Sequence, residues 1–332
     1  MIRPTWSSCR RHGKCVLLLV AAAACSSTGP SGSAAGKLYV ADALNNKIWI
    51  FATGATRDTD AVPTATIEGS HTGLNVPEGL ALDPAGRLYV SNFNGNSITV
   101  YAAGASGDAA PIATLAGGST GLAGPIGLAF DGTGQLYVVN GPGPGIGTVT
   151  VYPAGATGNV VPTATIGGPT TRLDNPWGVA VDASGQIYVS SAGDSILVYA
   201  PGATGDAAPV AAIAGPSTGL NTPLGLVLTP GGRQHGGQRL YVANFRGNSI
   251  TVYSGSAVGD AAPIATIAGP ATGLAEPGAV ALDGTGHVYA GNNVTRSVTS
   301  YNADATGNVR STPTMFLQTA GVRDIEAIAI GP

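Results

Sequence analysis

Asp42, Asn92, Asn140, Ser191, Asn244 and Asn292 each stand two residues past a copy of "LYV" or a close variant. Five of these six carry a carboxylate or an amide. Brought together, such groups bind a cation or the hydroxyls of a ligand. The competing role is local, because Asn and Asp end strands and satisfy turn amides through their own side chains. A second series is more varied. Just before the glycine of "GLALD" (79–83) and its relatives stand Glu78, Ile126, Trp177 and Leu224, with irregular counterparts at Glu276-Pro277-Gly278 and Asp324-Ile325. An aromatic face beside a carboxylate holds a sugar or a cation. The plainer roles are rim packing for Trp177 and a solvated loop acid for Glu78. Arg246 replaces Asn94 between the near copies "LYVSNFNGNSITVY" (88–101) and "LYVANFRGNSITVY" (240–253), adding one positive charge at a hairpin tip, where solvation alone accounts for it.

Familiar catalytic sets are missing. After residue 25 the only histidines are His71, His235 and His287, too scattered for a histidine-rich metal site. No Ser-centred nucleophile elbow is present, and no cysteine follows Cys25. Four of the 15 basic residues (Arg3, Arg10, Arg11, Lys14) and none of the 18 acids precede Cys25, leaving 11 against 18, a net charge of −7. A domain of that sign lacks the basic footprint of a nucleic-acid binder.

The first 24 residues read as an export signal. A basic start leads into "CVLLLVAAAA" (15–24), the length of a signal-peptide core rather than a membrane span. Cys25 then precedes "SSTGPSGSAAG" (26–36), a small-residue flexible tether. This resembles a bacterial lipoprotein signal, although Ala22 stands where leucine is usual. The resemblance implies lipid on Cys25, the only expected membrane contact, and a place in the cell envelope outside the cytoplasm. The alternative is an ordinary signal cut near Ala24, giving a secreted or periplasmic protein.

The elements that must position these groups come from a repeat. "LYV" or a variant begins at 38, 88, 136, 187, 240 and 288, spaced by 50, 48, 51, 53 and 48 residues. "GLALD" (79–83), "GLAFD" (127–131), "GVAVD" (178–182), "GLVLT" (225–229) and "AVALD" (279–283) precede later copies. Runs such as "SITVY" (97–101) follow each copy, and runs such as "PIATL" (111–115) close the unit, the sixth, "PTMFL" (313–317), being weaker. Four short β-type runs per 50 residues, separated by turn chemistry such as "DPAG" and "DGTG", describe a propeller blade. The first unit lacks its first run, and "EAIAI" (326–330) supplies a sixth copy at the other end of the chain. The expectation is an all-β, six-bladed propeller over 37–332, closed by the C-terminal strand joining the N-terminal blade. "GPGPGIG" (141–147) and "PGGRQHGGQR" (230–239) are insertions into it.

The arrangement P-x-G, apolar alternation, D-x-x-G-x-(L/I)-Y-V-x-(N/D) resembles the NHL-repeat family of propellers over nearly all of 37–332. The resemblance implies that the loops entering the inner strands and the hairpins after "LYV" share the mouth of a central channel. Such folds host lyases, lactone hydrolases, sensors and plain binding modules, so fold does not name function. Related calcium-dependent lactonases gather Glu, Asn and Asp from several inner-strand loops around one ion. Here the matched positions hold Glu78, then Ile126, Trp177 and Leu224, so no resident cofactor is expected. Ca2+ on Glu78, Asp42 and the amides is the alternative. The resulting expectation is an envelope-anchored, monomeric, non-catalytic propeller. It would bind a protein, peptide or glycan at the channel mouth through Glu78, Trp177, Asp42, Asn92, Asn140, Asn244, Arg246 and Asn292. A divalent-cation-dependent lactone hydrolase or lyase is the second reading, and a rigid spacer the third.

Overall fold

A strand such as Leu88–Asn92 is buried on both faces, so each side of its sheet must meet another sheet. Radial stacking of twisted four-stranded sheets meets that need without long connections. The computed structural model describes residues 36–53, 59–141, 146–229, 237–311 and 314–331. The predicted signal (1–24), the predicted tether (25–36) apart from Gly36, His235 and most of both insertions lie outside the described residues.

Six four-stranded antiparallel blades are present, as the repeat predicts. Blade 2 runs from the channel outward as Pro77–Leu82, Leu88–Asn92, Ser97–Tyr101 and Ala113–Ala116. Blades 3, 4, 5 and 6 follow the same order, with inner strands Pro125–Phe130, Pro176–Val181, Pro223–Leu228 and Pro277–Leu282. Blade 1 is assembled from both ends of the propeller. Its inner strand is Ala327–Gly331, paired with Lys37–Asp42 so that Leu38 faces Ile330 and Val40 faces Ile328.

Period-two alternation divides each strand between two neighbours. Leu38 and Val40 pack towards blade 6 with Ala279, Ala281 and Val298. Tyr39 and Ala41 pack towards blade 2 with Leu80, Leu88 and Val90. Every other seam repeats this arrangement. A buried tyrosine stands at or next to the end of the third strand in blades 2 to 6, and its hydroxyl donates to a threonine carbonyl, as Tyr253 does to Thr218 O at 2.6 Å. The outer edges are covered as well. Ile67, Leu115, Ile166, Ile213 and Ile267 each bridge in parallel to a loop glycine of the next blade. On blade 6 the segment Thr59–Asp60 of blade 1 adds a short parallel strand to Thr314–Phe316. Covering the edge removes a template for association with other chains.

Candidate functional site

The repeated amide series belongs to the blades. Asn92, Asn140, Asn244 and Asn292 are buried. Each Oδ1 accepts from a backbone N–H in the loop entering its own blade, at 3.0–3.1 Å from Asn75, Ala123, Asn221 and Ala275. Each Nδ2 donates to a third-strand threonine hydroxyl, Thr99, Thr150, Thr251 or Thr299, at 3.0–3.1 Å. Blade 1 shows why its member is an acid. The threonine is replaced by Trp49, whose indole is a donor only. Asp42 accepts from Trp49 Nε1 at 3.0 Å, from Asn45 Nδ2 at 2.7 Å and from the Arg323 amide at 3.1 Å. It thereby ties the first blade to the segment that enters the C-terminal strand. In blade 4 the third-strand partner is Leu197, and a small Ser191 donates to Asp174 O at 2.7 Å instead. Arg246 is exposed at the hairpin tip of blade 5. His71, on the segment entering blade 2, pairs with Asp108, on the segment after that blade's third strand, and His287 pairs with Asp283 within one turn.

The second series lines the channel. Pro77 pairs with Asn92, so the start of each inner strand lies at the same end as the hairpin tips. Strand register sets the true members of the series. Gly79 faces Ser91, Ala279 faces Gly291 and Ala327 faces Ala41. The residue before each is therefore Glu78 in blade 2, Gly278 in blade 6 and Glu326 in blade 1. This corrects the irregular assignments at Glu276 and at Asp324-Ile325. Around the channel the order is Glu326, Glu78, Ile126, Trp177, Leu224 and Gly278, and all six line one cavity of about 100 Å³. Two glutamates are neighbours, and Trp177 sits three blades from Glu326, on the opposite side. The missed residue had a signal: "EAIAI" (326–330) repeats the pattern of "EGLAL" (78–82), glutamate included.

Close blade approach explains the glycines that follow these residues. A Cβ on Gly178 would lie 2.6 Å from Leu224 O, and one on Gly225 would lie 2.8 Å from Gly278 O. Gly79 and Gly127 are tighter still against Ile126 O and Trp177 O. Ser91 and Ser190 reach across the same seams to Ile126 O and Leu224 O, both at 2.6 Å. Only Ala279 and Ala327 carry a Cβ at this position. The two seams that hold a Cβ therefore flank blade 1, which carries Glu326, while Glu78 stands on the neighbouring blade 2.

Burial raises the pKa of both glutamates, because the apolar channel disfavours their charged forms. Glu326 is pushed up to about 9, by burial first and then by the charges of Glu78 and Asp324. Glu78 is pushed up to about 7, by burial and then by Asp324, while a hydrogen bond with Glu326 acts the other way. The pair thus holds a proton between them at neutral pH. Ile126, Leu224 and Gly278 bring no side-chain oxygen to the channel, whereas Ca2+ takes six to eight oxygen ligands. Among the described residues no three His, Cys, Asp or Glu side chains are arranged to hold a metal ion. Among the same residues no helix is long and apolar enough to cross a membrane.

Comparison with known proteins agrees with this architecture. Residues 74–101, which span the first three strands of blade 2, match the family model described as NHL repeat. No curated protein sequence matches the chain. Among solved structures, a protein of unknown function from Bacteroides caccae is similar over 90% of this chain and 99% of its own, at 11% identity and a TM-score of 0.62. A chain of a nidogen/laminin complex is similar over 90% of this chain and 98% of its own, at 16% identity and a TM-score of 0.61. The WD40 propeller domain of Doa1 is similar over 85% of this chain and 79% of its own, at 11% identity and a TM-score of 0.56. At these identities the likeness is one of fold: the chain is a six-bladed β-propeller with an NHL-type repeat.

Proposed function

We propose that this protein is a non-catalytic binding propeller, tethered in the cell envelope through Cys25, that seats a polypeptide partner on its channel mouth. One observation carries the reading. On a scaffold that repeats the same bonds blade after blade, side-chain chemistry diverges at the six channel positions, from Glu326 and Glu78 to Trp177. The cavity size supports a polypeptide over a free small molecule. Pockets that enclose small ligands are typically about 300–1,000 Å³, whereas this one is about 100 Å³ and has room for one protruding group. Leu44 and Val294, exposed on the hairpins of adjacent blades 1 and 6, offer apolar contact beside it. The similar fold in a nidogen/laminin complex comes from a protein–protein assembly.

The test is site-specific photo-crosslinking of the full chain in its native cells. A crosslinker at Leu44 should capture a discrete partner, and Trp177→Ala should abolish the capture. A crosslinker at Val161, in the loop on the opposite face, should capture none. Equal capture from both faces, or capture indifferent to Trp177, overturns the reading. The tether has a separate check. The intact mass of membrane-extracted protein should show a diacyl or triacyl addition on Cys25, and a soluble, unmodified product refutes it.

A further inference from the structure

The channel chemistry narrows what that partner presents. Glu326 and Glu78 begin adjacent inner strands and line the same cavity. Asp324 lies close enough for its charge to act on both. The ion pairs Lys47–Glu68, His71–Asp108, Arg87–Asp83, Arg239–Asp304 and His287–Asp283 all lie elsewhere. The neighbouring charged residues are Glu276, which enters blade 6, and Arg323, which is exposed and gives its backbone amide to Asp42. Among the described residues, therefore, no cation of the chain neutralises the two channel carboxyls. Across the channel stand Trp177 and Leu224, and beside Glu326 stands Gly278, which occupies no side-chain space.

We propose that the group seated in this channel is a basic side chain of the partner polypeptide, held between the Glu78–Glu326 carboxylates and the Trp177 ring. The inference rests on the channel-mouth reading above. Three properties of the cavity fit such a group. Two carboxylates offer the oxygen pair that a guanidinium or ammonium takes up in charge-assisted hydrogen bonds. The indole of Trp177 lines the same cavity from across the channel, and an aromatic ring attracts a cation. A volume of about 100 Å³ suits the end of a side chain. The cation replaces the proton that the two acids otherwise share, so binding releases about one proton and strengthens as pH rises.

The experiment is a titration of the full chain with n-butylguanidinium, an arginine side chain without a backbone, against n-butylurea, its neutral near-isostere. Guanidinium keeps its charge at every pH used. The cation should bind at least roughly tenfold more tightly than the urea, with a Kd in the millimolar range. Its affinity should rise about tenfold from pH 7 to pH 8, the effect of displacing one proton. Calorimetry in buffers of different ionisation enthalpy should count that proton. Glu78→Gln, Glu326→Gln and Trp177→Leu should each weaken binding, and unchanged unfolding midpoints at pH 6 identify the variants that still fold. The pH and proton readouts stand on the unmodified protein if a variant does not fold. A glycine-flanked arginine peptide should bind more tightly than n-butylguanidinium, and its citrulline counterpart should fail. Equal binding of the cation and the urea, no binding of either up to roughly 50 mM, or no proton release overturns the proposal. An arginine peptide no better than n-butylguanidinium overturns the polypeptide source. Any of these results alongside persistent Leu44 crosslinks leaves the channel-mouth reading intact, whereas loss of the crosslinks removes that reading itself.

Discussion

Replacing Glu326 by glutamine should change how the stability of the protein depends on pH. In the folded protein Glu326 is pushed up to about 9 and Glu78 to about 7. An unfolded glutamate releases its proton near the ordinary value, about 4.3. Because the folded pKa values are raised, the folded state holds protons that the unfolded state has lost. The associated stability is complete below about pH 4, where both states are protonated, and falls from there as pH rises through 7 towards 9. Between pH 7 and 8.5 the pair retains one such proton, so stability falls by about 1.4 kcal/mol per pH unit. With an unfolding entropy of about 2.1 cal/mol/K per residue, a propeller of this length loses about 2 °C in Tm per pH unit. The carboxamide introduced by Glu326→Gln keeps the donor to Glu78 and removes the second charge, so the variant should show only a shallow fall near pH 7 from Glu78 and a nearly flat Tm above it. From pH 7 to pH 8.5 the variant should gain about 2 kcal/mol on the unmodified protein. Differential scanning calorimetry of both chains at half-unit steps is the assay. Parallel Tm curves for the two proteins, or a flat curve for the unmodified one, would refute the buried shared proton.

Other predictions follow from packing. Gly127→Ala places a Cβ against Trp177 O and should cost about 1–3 kcal/mol, while Gly118→Ala, in open space, should leave Tm unchanged or slightly higher; equal Tm values would remove the account of tight seams. Tyr253→Phe deletes the hydroxyl that bonds Thr218 O and should cost about 1 kcal/mol, read as a midpoint shift in urea, and no shift would show that the bond adds nothing. Ending the chain at Ile325 removes the inner strand of blade 1, including Ile328, which is buried in the blade 6 seam. That should cost at least about 3 kcal/mol and produce aggregates by size exclusion, whereas a monomer with the parent Tm would show that the C-terminal strand does not close the ring. Calcium and a chelator should both leave Tm within about 1 °C of the parent, since only a ligand of the folded state raises it; a calcium-dependent rise reversed by chelator would favour the metal-dependent hydrolase or lyase.

Much of the fold was legible in the chain because a blade is a local object. Its four strands lie within about 50 consecutive residues, and "LYV", "GLALD" and "SITVY" carry the alternation that each strand needs. Ring closure was legible too, since the count of each run left one strand missing at the start and one spare at the end. The local role of the amides was already one of two readings, and their bonds to Thr99, Thr150, Thr251 and Thr299 accord with it. The identity of the channel was less legible. Glu326 and Glu78 are 248 positions apart, and they became neighbours only when pairing of Ala327 with Ala41 set the register of the last strand. A shift of one residue in that register would turn the glutamate away from the channel, because successive side chains point to opposite faces. The repeating sequence determined how each blade is built. Tertiary closure decided which residues meet at the centre and how strongly their protons are held, because burial and proximity across seams exist only in the complete ring.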